Sequence, residues 1–86
     1  MIERKVTVES KVGLHARPAA LFVQTAAKAP MEIMVGKPGG IPVNAKSILS
    51  LLALDARRGE QIVISAEGEG AEQILDDLAA LVAEDA

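Results

Sequence analysis

The segment GLHARPAA, residues 13–20, concentrates the residue types of this chain that could do chemistry. It contains His15, the only histidine among 86 residues, followed two positions later by Arg17. A free imidazole is largely neutral at cellular pH and can act as a nucleophile without a second base. An arginine guanidinium binds phosphate oxygens through parallel hydrogen bonds. The spacing therefore predicts that His15 accepts a phosphoryl group and that Arg17 stabilises it.

A helix that begins near Ala16 would bring these groups together. Pro18 suits a first turn, where its missing N–H needs no partner. The backbone N–H groups of Ala16 and Arg17 then stay available for phosphate, and the helix dipole favours an anion beside them. Residues two apart in a helix point about 200° away from each other. His15 must therefore lie at the cap, and Gly13 gives the preceding loop the freedom to place it there.

Other chemistries fit the sequence less well. A serine hydrolase would need His15 beside a serine and a carboxylate, but no nucleophile-elbow motif is present. The acidic segment EGEGAE, residues 67–72, lacks the spacing of a calcium loop, and the chain has no cysteine. We expect neither a metal nor a cofactor. A solvent-exposed His15 without a function is the alternative that the residues alone leave open.

Composition limits the remaining classes of protein. The net charge is -3 and Phe22 is the single aromatic residue, which argues against nucleic-acid binding. The absence of cysteine fits a reducing compartment, and no apolar run approaches the roughly 20 residues of a membrane span. We expect a cytoplasmic protein without membrane insertion, folded as one domain over residues 1–86.

Hydrophobic periodicity predicts four strands and three helices in the order βαββαβα. We expect strands over residues 2–10, 31–35, 41–44 and 60–68, and helices over residues 16–28, 47–56 and 71–83. Ser47 is a good N-cap for the second helix, while Arg57 and Arg58 suit its C-terminal end. Pro42 places the third strand at a sheet edge. The expected fold is α+β, with three helices on one face of a four-stranded antiparallel sheet.

The second helix is more apolar than one buried helix face requires. We expect part of it to be exposed near His15 as a docking patch for protein partners, with complete burial as the alternative. The residues predicted for this docking patch are Ile48, Leu49, Leu51 and Leu52. Proteins that exchange a phosphoryl group with His15 must dissociate after each transfer, so the expected interface is small and transient.

Two segments, GLHARPA and VNAKSILSLLAL, occur here in a chain of suitable length and element order. Together they resemble the histidine-containing phosphocarrier (HPr) family of the bacterial phosphoenolpyruvate-dependent sugar phosphotransferase system, and the resemblance spans the whole chain. It implies an open-faced sandwich of four antiparallel strands covered by three helices. It also implies a monomeric carrier that accepts a phosphoryl group from enzyme I and passes it to the IIA domains of sugar permeases.

The resemblance also assigns roles to individual residues. His15 falls on the histidine that is phosphorylated through Nδ1, and Arg17 on its phosphate partner. Ser47 falls on the serine that an ATP-dependent HPr kinase/phosphorylase modifies in many Gram-positive members to control carbon catabolite repression. The resemblance therefore adds this kinase and a catabolite-control regulator to the expected partners.

Three other functions stay open. The chain could be a nitrogen-branch phosphotransferase homologue, a regulatory module that binds partners without carrying phosphate, or an enzyme that uses His15 as a general acid or base. The presence of His15 argues against the regulatory paralogue of the family, which lacks this histidine. An enzyme should hold His15 in a pocket beside a second catalytic group, whereas a carrier should expose it to several partners.

Overall fold

The computed structural model describes residues 1–84 and contains the predicted order of elements. The strands are β1 (Ile2–Thr7), β2 (Ile33–Gly36), β3 (Val43–Asn44) and β4 (Gln61–Ala66). The helices are α1 (Ala16–Ala27), α2 (Ile48–Ala53) and α3 (Ala71–Ala83). The third helix has the bounds that its apolar periodicity predicts.

The four strands form one antiparallel sheet in the order β1-β4-β2-β3. β4 pairs with β1 on one side, where Val6 lies opposite Ile62, and with β2 on the other, where Val35 lies opposite Ile64. β3 pairs only with β2, so its predicted edge position is confirmed. Pro42 lies just before this strand and is exposed, which agrees with its missing backbone donor.

The core lies between one face of the sheet and the helices. Ile62 and Ile64 point from β4 into this layer, and Phe22 of α1 and Leu78 of α3 meet them there, all four fully buried. Alternation along β1 leaves Glu3 exposed on the other face of the sheet. The predicted α+β open-faced sandwich is confirmed, with the helices on one side.

Helix α2 ends three residues earlier than the sequence predicts. It ends at Ala53, and its last turn closes through short-range bonds from the Leu54 and Asp55 amides. Asp55 then adopts a left-handed conformation with φ of 50°, which breaks the helix. The expectation that Arg57 and Arg58 lie at the helix end is therefore wrong, because no basic residue occupies the last turn.

Two strands, β1 and β3, are also shorter than the sequence predicts. β1 stops at Thr7, because the chain then turns toward α3 and the Glu9 amide bonds the carbonyl of Val82. β3 keeps only two of its four predicted residues, since Ile41 and Pro42 remain outside the ladder. Both differences shorten a strand at its end and leave the order of the sheet unchanged.

Candidate functional site

His15 is the N-cap residue of α1, as its spacing to Arg17 predicts. Its backbone is extended, with φ of -133° and ψ of 170°, and its side chain makes no cap hydrogen bond. The N–H groups of Ala16 and Arg17 belong to the first turn and have no acceptor within the helix. The His15 side chain is 38% exposed, so both the imidazole and the helix end are accessible to a partner.

The His15 loop, residues 10–15, is held against the segment that follows α2. The Leu14 amide donates to the Ala56 carbonyl at 2.8 Å, and the Leu14 side chain is buried. Gly13 has a φ of 70°, and a Cβ at this position would lie 2.5 Å from the same carbonyl oxygen. Glycine is therefore needed here both for its conformation and for the close approach of two backbones.

The backbone is strained directly beside the histidine. Ala16 has a φ of 51°, the left-handed region that residues with a Cβ rarely adopt. Such a conformation costs about 1–2 kcal/mol for an L-residue. Strain of this kind concentrates at functional sites, where the surrounding structure enforces it.

The nearest partner of the histidine is Asp55, which the sequence analysis did not identify. Its Oδ1 lies 3.1 Å from His15 Nε2, and its Oδ2 accepts two hydrogen bonds from Arg57, at 3.2 Å from Nε and 3.0 Å from Nη2. The hydrogen bond from Arg57, and after it the one to His15, lowers the pKa of the Asp55 carboxyl. The sequence signal is the run DARR, residues 55–58, which follows the apolar helix and is also typical of a helix terminus.

Arg17 is exposed at the start of α1. It lines a cleft of about 170 Å³ together with Val12, Leu21 and Leu81. Among the hydrogen bonds and ion pairs of residues 1–84, none joins Arg17 to His15. Both residues belong to the same helix end, and the convergence of their side chains on a phosphoryl group stays a prediction.

Ser47 is the N-cap of α2, as predicted. Its backbone is extended, and its Oγ accepts a hydrogen bond from the Ser50 amide at 3.2 Å. This bond satisfies one of the amides at the start of the helix. The Ser47 side chain is half-buried, and whether it shares a surface with His15 stays a prediction.

The predicted docking patch is only partly exposed. Leu49 is 78% exposed and Ile48 is 39% exposed, while Leu52 is half-buried. Leu51 is fully buried, and its assignment to the docking patch was wrong. Because α2 packs against α1 and β3, one side of the helix must face the core, and Leu51 lies on that side.

Two kinds of structural feature are absent from residues 1–84. In this part of the chain, no helix is both long and apolar enough to cross a membrane. Nor does it bring together three histidine, cysteine, aspartate or glutamate side chains that could hold a metal ion.

Comparisons with known proteins find relatives that match almost the entire length of this chain. A family model described as the PTS HPr component phosphorylation site matches residues 2–84. Phosphocarrier protein HPr of Streptomyces coelicolor is 49% identical over 84 residues, which cover 98% of this chain and 90% of that protein.

Solved structures show the same relationship. The crystal structure of a phosphocarrier protein HPr from Bacillus anthracis superposes with a TM-score of 0.88 and 46% identity, covering 94% of this chain and 95% of that one. The crystal structure of the catabolite repression protein Crh from Bacillus subtilis, described as an intertwined dimer with a swapped domain, gives a TM-score of 0.73 and 44% identity, covering 100% and 98%. The chain therefore belongs to the HPr family of phosphocarrier proteins of the phosphotransferase system.

Proposed function

We propose that this protein accepts a phosphoryl group on His15 from enzyme I and passes it to the IIA domains of sugar permeases. The observation that carries this proposal is the position of His15, an accessible imidazole beside the uncapped N-terminus of α1. The family gives the general role of phosphocarrier. The individual donor and acceptors are the proposed part.

The geometry supports Nδ1 as the phosphorylated atom. Nε2 faces the Asp55 carboxylate at 3.1 Å, which leaves Nδ1 as the ring nitrogen open to a donor. The Ala16 and Arg17 amides would bind the phosphoryl oxygens, helped by the dipole of the 12-residue helix. The exposed Arg17 guanidinium would add a charge-assisted pair of hydrogen bonds once the phosphoryl group is present.

The exposed part of α2 is the proposed contact for both partners. Leu49 and Ile48 offer apolar surface, with the half-buried Leu52 at its border. So few exposed side chains make a small interface, which suits partners that must separate after each transfer. We expect the carrier to work as a cytoplasmic monomer, and the dimer described for Crh makes its oligomeric state worth measuring.

A regulatory role is the second candidate, and the similarity to Crh favours it. A kinase would phosphorylate Ser47, and the modified protein would bind a catabolite-control regulator. Phosphate at an N-cap gains from the helix dipole and from free amides, so α2 can accept it. Incubation with an HPr kinase/phosphorylase and labelled ATP tests this role, which predicts label in the parent and none in Ser47→Ala.

The main proposal is tested by incubating the purified protein with enzyme I and labelled phosphoenolpyruvate. We expect label that is stable in base and lost in acid, as a phosphohistidine is. His15→Ala should take up no label. Arg17→Ala should still be labelled because the helix amides remain, but more slowly because the guanidinium is lost. An unlabelled parent, or a His15→Ala variant that still takes up label, would contradict the proposal. Enzyme I from a sugar branch and from a nitrogen branch, used separately, distinguishes the two phosphotransferase systems.

A further inference from the structure

Asp55 brings a fixed negative charge to the histidine from a distant part of the chain. It follows the last residues of α2, 40 positions beyond His15, and its φ of 50° directs the chain sharply away from the helix. One carboxylate oxygen faces His15 Nε2 at 3.1 Å. The other accepts both hydrogen bonds from Arg57, so the carboxylate lies between a cation and the imidazole.

The surroundings hold this carboxylate in place. Lys37 donates from Nζ to the Asp55 carbonyl at 3.3 Å and pairs with Glu60 at 3.2 Å. Glu60 in turn accepts a hydrogen bond from the Arg57 amide at 2.8 Å. On the other side, the bond between the Leu14 amide and the Ala56 carbonyl fixes the His15 loop to the residue after Asp55. Both partners of the contact are thus anchored through their backbones.

The contact determines which ring nitrogen carries the proton. An ionised carboxylate can only accept hydrogen bonds, so Nε2 must donate to it. Arg57 and then His15 lower the pKa of the Asp55 carboxyl, which keeps it ionised over the whole physiological range. In the neutral imidazole, the other nitrogen, Nδ1, then bears the free electron pair.

We propose that Asp55, held by Arg57, is a positioning residue for phosphoryl transfer, which fixes the Nε2–H tautomer of His15 and aims Nδ1 at the phosphoryl donor. This inference rests on the proposed role of His15 as the phosphoryl acceptor. It adds a residue from the end of α2 to a site that is otherwise built from the start of α1.

The transfer step gives the carboxylate a second effect. The Nδ1 electron pair forms the bond to phosphorus, while the bond from phosphorus to the donor breaks and its electron pair stays with the donor. The proton remains on Nε2, so the ring gains a positive charge during the step. Asp55 faces that charge from 3.1 Å and stabilises it, as a carboxylate does for an imidazolium in other histidine sites. The reverse sequence of bond changes delivers the phosphoryl group to the acceptor.

The tautomer can be measured on the unphosphorylated protein, independently of any partner. In the ¹⁵N-labelled parent, at a pH at which the ring is neutral, we expect Nε2 to resonate as the protonated nitrogen and Nδ1 as the unprotonated one. Asp55→Gly suits the left-handed backbone and should return His15 to a mixture of tautomers. Asp76→Asn is the matched control, because it removes an exposed carboxylate on α3 that pairs with Arg4 of β1, and it should leave the His15 spectrum unchanged.

The rate of labelling by enzyme I and phosphoenolpyruvate is the second measurement. Asp55→Gly should be labelled about two- to tenfold more slowly than the parent, the range expected for losing one exposed charge-assisted hydrogen bond. Asp55→Asn keeps an acceptor and loses the charge, so its rate should lie between the two. Asp76→Asn should match the parent, and melting curves establish that every variant is folded.

The outcomes separate this inference from the proposed function. A parent that takes up no label contradicts the proposed function, whatever tautomer His15 adopts. A parent that is labelled while Asp55→Gly keeps the parent tautomer or the parent rate overturns the role of Asp55 and leaves the carrier function standing.

Discussion

Single residues around the histidine adopt conformations that few side chains tolerate. Gly13, Ala16 and Asp55 all have positive φ, at 70°, 51° and 50°. The first allows the loop to approach Ala56, the second turns the chain into α1, and the third ends α2 beside His15. Together they bring two chain segments to one imidazole, and the site therefore depends on backbone geometry as much as on side chains.

The strain at Ala16 has a measurable consequence for stability. Ala16→Gly relieves an unfavourable φ worth about 1–2 kcal/mol but adds about 0.5–1 kcal/mol of chain entropy to the unfolded state. We therefore expect its free energy of unfolding to equal or exceed that of the parent. Ala20→Gly, inside the same helix, should lower it by about 1 kcal/mol. Urea denaturation checks both, and equal losses in the two variants would show that Ala16 is not strained.

The stability of the folded protein should depend on pH through the Asp55 carboxyl. Its pKa is lower in the folded protein, first because of Arg57 and then because of His15. The stabilising contribution of these contacts is therefore present above the unfolded pKa and is lost as the pH falls through the lowered folded value. An NMR titration of the Asp55 carboxyl should give a higher pKa in Arg57→Gln. Lys37→Gln is the control, because Lys37 bonds the backbone carbonyl of Asp55 and not its carboxylate. An equal rise of the Asp55 pKa in Lys37→Gln would contradict this assignment.

At the scale of elements, α2 combines a structural side with an exposed side. Leu51→Ala should cost about 2–5 kcal/mol, because it opens a cavity under a fully buried side chain. Leu49→Ala removes a side chain that is 78% exposed and should change stability by no more than about 0.5 kcal/mol. Thermal melting compares the two. Leu49→Ala should instead raise the KM for enzyme I, and an unchanged KM would argue against the docking patch.

Two substitutions at Ser47, the N-cap of α2, separate the effect of added charge from the effect of lost capping. Ser47→Asp keeps a good N-cap and should retain the melting temperature of the parent. Its added charge should repel acidic partner surfaces and slow the labelling of His15. Ser47→Ala loses about 1 kcal/mol of capping but adds no charge, so it should be labelled at the parent rate. Labelling of Ser47→Asp at the parent rate would contradict a surface shared by Ser47 and His15.

Regular periodicity explains which elements the sequence predicts well. The apolar stripe of α3 and the alternation of β4 each indicate a buried face. α3 has its predicted bounds, and β4 lies inside its predicted range of residues 60–68. The end of α2 depends instead on the conformation of one residue, Asp55, which an apolar pattern does not encode. The contact between His15 and Asp55 joins residues 40 positions apart, and periodicity carries no information about which loops meet.

For the whole molecule, the order of the sheet explains why these loops meet. β1 and β4 are antiparallel neighbours, so the chain leaving β1 lies beside the chain entering β4. The Val8 amide bonds the Glu60 carbonyl, and the Gly59 amide bonds the Val8 carbonyl, each at 2.8 Å. This pairing brings the approach to α1 and the segment after α2 to one end of the molecule, where His15 and Asp55 are in contact.

The most direct test of the carrier function is a transfer experiment with the whole chain. The protein is phosphorylated by enzyme I and phosphoenolpyruvate, separated from both, and then mixed with a purified IIA domain. We predict one phosphoryl group per chain, located on His15 by mass spectrometry and on Nδ1 by NMR, and its loss to the IIA domain. A phosphoryl group found on another residue, or one that stays on His15 in the presence of IIA domains, would contradict the proposed function.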